Sequence, residues 1–84
     1  MGLDSVELLV EIENEFQIEI SNIEAENIIT IGDFHKTISR KINLTNTTEE
    51  AIFQKLRAVV SDKAGFDIDE IHYHTRIVDD LGLD

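Results

Sequence analysis

Apolar residues recur along most of the chain at spacings of three and four, which is the period of an amphipathic α-helix. In the first segment Leu9, Ile12 and Phe16 fall on one stripe, and Val6 and Leu8 flank it. This pattern predicts a first helix that buries the stripe against the rest of the molecule.

Capping signals predict where two further helices begin. Ser21 and Glu24 have the spacing of a capping box, which predicts a short helix that runs to about Ile28. Thr30 and Asp33 repeat the spacing and open a helix whose apolar positions lie four residues apart, at Phe34, Ile38 and Ile42.

A third capping signal, Thr47 with Glu50, predicts the last helix, and Gly65 is a suitable residue to end it. Its apolar face comprises Ile52, Phe53, Leu56, Val59 and Val60. Residues 43–48 are polar and typical of a linker, whereas residues 66–84 form a long acidic stretch with isolated apolar anchors. The sequence therefore predicts an all-α domain: a small four-helix antiparallel bundle with a long structured loop.

The composition narrows the function classes. The 84 residues carry 18 acidic and seven basic side chains, a formal net charge of −11, which repels nucleic acid and attracts basic protein surfaces. The chain has no cysteine, and hence no disulfide or thiolate metal site. No apolar run approaches the length of a membrane span and nothing resembles a signal peptide, so a cytoplasmic protein without membrane contact is expected.

The candidate chemistry is sparse. Asp67 and Asp69 resemble the start of a calcium loop, but His72 and Val78 occupy the positions that need glycine and glutamate. His72 lies two residues from His74 without a third ligand at metal spacing. No nucleophile has a base beside it in a recognisable pattern. The sequence therefore predicts neither a metal site nor an enzyme.

A family resemblance emerges when the chain is taken from residue 49 to 84 and then from residue 1. The order becomes Glu-Glu-Ala-Ile-Phe-Gln-Lys-Leu up to Asp-Asp-Leu-Gly-Leu-Asp, followed by Leu-Asp-Ser-Val-Glu-Leu-Leu-Val-Glu-Ile-Glu-Asn-Glu-Phe. This sequence resembles the acyl carrier proteins. The resemblance implies a circularly permuted domain in which residues 49–84 correspond to the family's first helix and long loop. Residues 1–42 correspond to its second to fourth helices, and residues 43–48 join the old termini, as a monomer or a swapped dimer.

The resemblance also implies a function. Such proteins carry acyl groups as thioesters on 4′-phosphopantetheine in fatty-acid or polyketide-type biosynthesis, and they are not enzymes. The implied partners are a phosphopantetheinyl transferase and acyl-synthesis enzymes, bound through their basic patches. The implied docking residues are Asp4, Glu7, Glu11 and Glu15, with Glu13 beside them. The implied acyl-chain lining is Leu8, Leu9, Ile12, Phe34, Ile38, Phe53 and Leu56.

The attachment serine is the main departure from the family. The family pattern is Asp-Ser-Leu-Asp-x-Val-Glu-Leu, and counting back from Val6 puts the attachment position at Gly2. Ser5 is the second candidate, but it shares a helical stripe with Leu9 and Ile12, which predicts that it faces the core. The chain is therefore expected to lack the serine and the attached cofactor.

Two alternatives stay open. The glutamates at positions 7, 11 and 15 do not serve helix stability, because like charges four residues apart slightly destabilise a helix. They therefore form either a solvated helix face or a docking face. The function of the chain also has two alternatives. The chain is alternatively a small acidic interaction module that never carries a prosthetic group. A peptidyl carrier is the other alternative, although the Gly-Gly-x-Ser type of site is absent.

Overall fold

Four α-helices and one 3₁₀ turn make up the regular structure of the residues that the computed structural model describes, 4–42 and 47–83. The helices are α1 (Ser5–Phe16), α2 (Asn22–Glu26), α3 (Ile31–Lys41) and α4 (Glu49–Ala64), and the 3₁₀ turn spans Ile68–Glu70. Within those ranges the only β-type pairing is one isolated bridge between Thr30 and Arg76. The predicted all-α class is confirmed.

The capping boxes of α2 and α3 form as the sequence predicts. The Ser21 hydroxyl accepts a hydrogen bond from the Glu24 amide, and the Glu24 carboxylate accepts one from the Ser21 amide. Thr30 and Asp33 make the same reciprocal pair at the start of α3. These bonds satisfy amides that have no partner inside the helix. The short helix α2 nevertheless ends at Glu26, two residues before the predicted Ile28.

The start of α4 corrects one prediction. The cap is Thr48 rather than Thr47, because the Thr48 hydroxyl accepts the Ala51 amide at 3.1 Å. Two adjacent threonines offer the same chemistry, and the glutamate three residues after Thr47 favoured the wrong one. The other end is as expected, since Gly65 ends the helix in the left-handed conformation with φ of 78°.

Helix α4 is the central element of the fold and contacts both α1 and α3. Its side chains Ile52, Leu56, Val59 and Val60 belong to the hydrophobic core. It runs antiparallel to α1, because Lys55 reaches the Glu15 carbonyl near the end of α1 while Lys63 reaches Glu11 one turn earlier.

The buried face of α1 lies closer to Leu8 than the sequence pattern predicts. Leu8 and Ile12 are fully buried, Leu9 and Phe16 are half-buried, and Val6 is 66% exposed. Of the two residues that flank the predicted stripe, Leu8 is therefore buried and Val6 is not. Two apolar stripes share Ile12, and spacing alone does not tell which one the neighbouring helix covers.

The long loop is anchored to the start of α3 by backbone hydrogen bonds. The amides of Ile31 and Gly32 donate to the carbonyls of Thr75 and Tyr73, and the Ile77 amide donates to Ile29. The loop also inserts apolar side chains into the core, namely those of Ile71, Ile77, Leu81 and Leu83. Within the described ranges, no helix combines the length and apolar character required to cross a membrane.

Gly32 allows a close approach between α3 and the loop, which gives a first prediction. A Cβ atom there would overlap the Tyr73 ring and lie 2.9 Å from the Tyr73 carbonyl oxygen. We expect Gly32→Ala to lower the free energy of unfolding by about 1–3 kcal/mol, measured by urea denaturation. The loss should be smaller in a Tyr73→Ala background. An equal loss in both backgrounds would show that the Tyr73 ring is not the cause.

Asp33 gives a second prediction, on pH. Burial by itself would raise the pKa of Asp33 from its usual 3.8, but hydrogen bonds from the Ile29 and Thr30 amides outweigh it and leave the pKa lowered. The stabilisation that the ionised Asp33 gives to the folded state is therefore complete above pH 3.8, and it is lost as the pH falls through the pKa of Asp33 in the folded state. Asp33→Asn should show a smaller loss of unfolding free energy across that range than the wild type. Asp69→Asn, at an exposed position, is the control; a wild-type acid dependence in Asp33→Asn would contradict the assignment.

Candidate functional site

An apolar pocket of about 140 Å³ opens beside the first turn of α1. Its walls come from three parts of the chain that lie far apart in sequence. The lining residues are Ser5, Val6, Leu9, Ala25, Ile28, Phe34, Ile77 and Val78. An engineered cavity of about 150 Å³ with leucine, isoleucine and phenylalanine walls stays dry and binds benzene, so a pocket of this size and lining suits a small apolar group.

Each wall has a local cause. Leu9 comes from the half-buried side of α1, and Phe34 comes from the first turn of α3, which the Thr30 cap fixes. Ile77 is held in place because its amide donates to the Ile29 carbonyl at 2.9 Å. The pocket therefore depends on the docking of the long loop as much as on the helices.

Both ends of the described chain are connected to this pocket, one directly and one through Ile77. Ser5 begins α1 and lines the pocket together with Ile77. At the other end, the Leu83 amide donates to the Ile77 carbonyl at 3.2 Å. The predicted attachment position, Gly2, lies outside the described residues, as do residues 43–46 of the predicted linker. The second candidate, Ser5, is half-buried on the pocket wall.

The predicted docking residues on α1 differ in what they contact. Asp4 caps the helix by accepting the Glu7 amide at 2.8 Å, while Glu7 and Glu15 are exposed. Glu11 pairs with Lys63 at 3.6 Å. Glu13, the fifth acidic residue, accepts the Ile20 amide at 2.7 Å and so stabilises the turn after α1. Two exposed valines, at positions 6 and 10, lie among these carboxylates.

Only two of the seven predicted lining residues, Leu9 and Phe34, border the pocket. Four others, Leu8, Ile12, Ile38 and Leu56, have no solvent exposure and belong to the closed core. Phe53 packs elsewhere, its ring 5.6 Å from His35 and 5.5 Å from Tyr73. Helical periodicity identifies a buried face but not which of its members border a cavity. The lining residues that the sequence did not predict are Val6, Ala25, Ile28, Ile77 and Val78. Ile77 and Val78 are two of the isolated apolar residues in the acidic stretch 66–84, and that isolation is the signal that could have found them.

Arg57 ties the long loop to α4. Its Nε donates to the Ile71 carbonyl and its Nη2 to the Ile68 carbonyl, both at 2.8 Å. The same guanidinium lies 5.6 Å from the centre of the Phe53 ring. This contact fixes the loop upstream of the segment that forms the pocket wall.

Asp80 stabilises the turn downstream of that wall. Its carboxylate accepts the Arg76 amide at 2.8 Å and also contacts the Arg76 guanidinium. The amide hydrogen bond and then the guanidinium lower the pKa of Asp80. The acidic motif at the end of the chain thus has a structural role in the turn as well as its sequence resemblance.

The histidines of the loop stay apart from this site. The rings of His72 and His74 stack on each other with their centres 5.9 Å apart. In ranges 4–42 and 47–83, no three histidine, aspartate or glutamate side chains are grouped as they would be around a metal ion.

No family model matches the chain, and no solved structure matches it. The function is therefore inferred from the residues of the site and from the sequence pattern.

The Arg57 contact gives a third prediction. Hydrogen bonds to a charged group contribute about 1.5–3 kcal/mol each, so Arg57→Ala should speed amide hydrogen exchange at Ile71 and Ile77 by at least about tenfold. Arg40→Ala removes an exposed arginine that makes no contact with the loop carbonyls, and it is the matched control. Equal exchange rates in the two variants would contradict the role given to Arg57.

Proposed function

We propose that this chain is an acyl carrier domain in circularly permuted order, of the kind that serves fatty-acid or polyketide-type biosynthesis. One observation carries the proposal. Ser5, near the start of the described chain, lines the apolar pocket beside the first turn of an acidic helix, and Leu83, at its other end, is hydrogen-bonded to Ile77 on the pocket wall.

The order of the elements supports the permutation. Taken from α4 through the long loop and on to α1, α2 and α3, the order is the one that the family resemblance implies. The Leu83 amide, at the end of the described loop, donates to the Ile77 carbonyl, and Ser5, the first residue of α1, lines the same pocket as Ile77. Residues 84 and 1–3 would then have been continuous in the sequence of the parent.

The residues fit 4′-phosphopantetheine only in part. The pocket suits the apolar end of an acyl group, but Gly2 offers no hydroxyl for attachment. The Ser5 hydroxyl belongs to a half-buried side chain on the pocket wall, so a bulky polar arm there would displace the wall. On the parent serine the arm would supply the thiol that holds acyl groups; in this chain Leu9 and Phe34 would shelter their apolar end.

The exposed acidic side chains of α1 would steer basic partner surfaces by long-range attraction. Glu7 and Glu15 are the best placed, since both are exposed and neither forms an ion pair in the described part of the chain. Glu11 would have to exchange Lys63 for a partner's cation. The exposed Val6 and Val10 would add apolar contact area beside these charges.

The same exposed valines also favour the second candidate, an interaction module that binds basic partners without any prosthetic group. Such a module would use α1 in the same way but would leave the pocket empty. Restoration of the serine distinguishes the two functions.

The fourth prediction concerns loading. Gly2→Ser, incubated with coenzyme A and a phosphopantetheinyl transferase, should gain the mass of one arm, measured by intact mass spectrometry and peptide mapping. The unaltered chain should gain nothing, because it lacks the attachment hydroxyl. Ser5→Ala, alone and combined with Gly2→Ser, is the matched control and should not change either result.

Two outcomes would count against the proposal. An arm mapped to Ser5 in the unaltered chain would contradict the assignment of position 2. No modification of Gly2→Ser, with a folded protein verified by circular dichroism, would favour the interaction module.

A further inference from the structure

Two basic side chains of α3 stand out in this acidic protein. Lys36 and Arg40 lie four residues apart on one helix face and are both exposed. Like charges at this spacing destabilise a helix slightly. The chain has 18 acidic residues, yet across residues 4–42 and 47–83 neither cation has a carboxylate within 4.0 Å. Lys36 interacts with Asp33 only at longer range, where its charge contributes to the lowered pKa of Asp33.

The other basic residues have defined partners. Lys41 pairs with Glu24 at 2.9 Å and Lys63 pairs with Glu11. Arg76 pairs with two aspartates of the loop. The amine at position 55 and the guanidinium at position 57 donate to main-chain carbonyls. On α3 the Arg40 Nε also donates to a main-chain carbonyl, that of Lys36, at 3.3 Å. What distinguishes Lys36 and Arg40 is that two exposed cations without a carboxylate partner border the same cleft.

The two cations border an open cleft of about 500 Å³ between α3 and the start of α4. The buried ring of His35 forms its base, where Nε2 donates to the Glu49 carbonyl at 2.8 Å. Tyr73 borders it on the loop side. Glu49 is its acidic rim residue, but it also begins a 16-residue helix whose positive end faces the same side.

Ser39 supplies an independent observation on the wall of this cleft. Its Oγ atom is closed off from solvent and has no hydrogen-bond partner in the described part of the chain. A buried hydroxyl without a partner costs about 1–3 kcal/mol, and native proteins rarely leave one. Because Ser39 lines the cleft, a change to another staggered rotamer is the route by which its hydroxyl would reach a ligand there.

We propose that this cleft binds a phosphate group, with Lys36 and Arg40 supplying charge and the Ser39 hydroxyl supplying a hydrogen bond. A phosphate offers several strong acceptor oxygens and a charge that two cations can offset. The site lies on the face of α3 away from Phe34, so it is separate from the apolar pocket and does not depend on the carrier function.

The fifth prediction tests this site on the whole chain by nuclear magnetic resonance. Sodium phosphate, added at constant ionic strength against sodium chloride, should shift the amide signals of residues 35–40 saturably. Glycerol 3-phosphate, tested in parallel, distinguishes a free ion from a phosphate ester: tighter binding of the ester would identify an ester as the natural ligand. The double variant Lys36→Gln with Arg40→Gln should bind at least about tenfold more weakly, as expected for loss of charge-assisted hydrogen bonds.

The control variant carries Lys55→Gln and Lys63→Gln, which change the net charge equally on α4. It should bind phosphate as the wild type does. The proposal is overturned if the wild type shows no saturable shift with either ligand. It is equally overturned if both double variants lose binding to the same extent, because general charge would then explain it.

Ser39→Ala tests the hydroxyl without any change of charge. The variant should be more thermally stable than the wild type without phosphate, since the unpartnered hydroxyl is removed. Its gain in melting temperature on addition of phosphate should be smaller than the gain of the wild type. An equal gain would exclude Ser39 from the site.

Discussion

Three backbone hydrogen bonds between residues 73–77 and residues 29–32 hold the long loop against the start of α3. They give a polar, acidic segment fixed partners for its amides and carbonyls, which a loop over an apolar core would otherwise lack. They also bring Tyr73 close to Gly32 and direct Ile77 into the pocket. If the loop moved away, the core would lose one of its walls and the pocket would no longer exist.

Helix α4 is the element against which the rest assembles. It buries apolar side chains toward both α1 and α3, and its Arg57 fixes the loop through two carbonyls. Its lysines also reduce the repulsion among acidic side chains in a chain with net charge −11. Lys55 donates to a carbonyl near the end of α1, where the helix dipole favours a cation, and Lys63 pairs with Glu11 on the acidic face.

Helix α3 separates two surfaces of opposite character. Phe34 faces the apolar pocket, whereas Lys36 and Arg40 face the polar cleft beside α4. Two residues of separation rotate a side chain by about 200°, so the two sites lie on opposite faces of one short helix. Apolar and anionic ligands would therefore occupy separate places, and occupation of one would not block the other directly.

Local sequence patterns were sufficient to predict the helical class, the capping boxes at Ser21 and Thr30, and the end of α4 at Gly65. These features depend on contacts within four residues, which the order of side chains fixes. The choice of Thr48 over Thr47 as the cap of α4 is also local, but two adjacent threonines made it ambiguous. The full burial of Leu8 rather than Leu9 is seen only in the tertiary structure. The tertiary structure also decided that Ile77 and Val78, far from α1 in sequence, line the pocket. Those outcomes depend on which long-range partner covers a given face, and residue spacing carries no information about that partner.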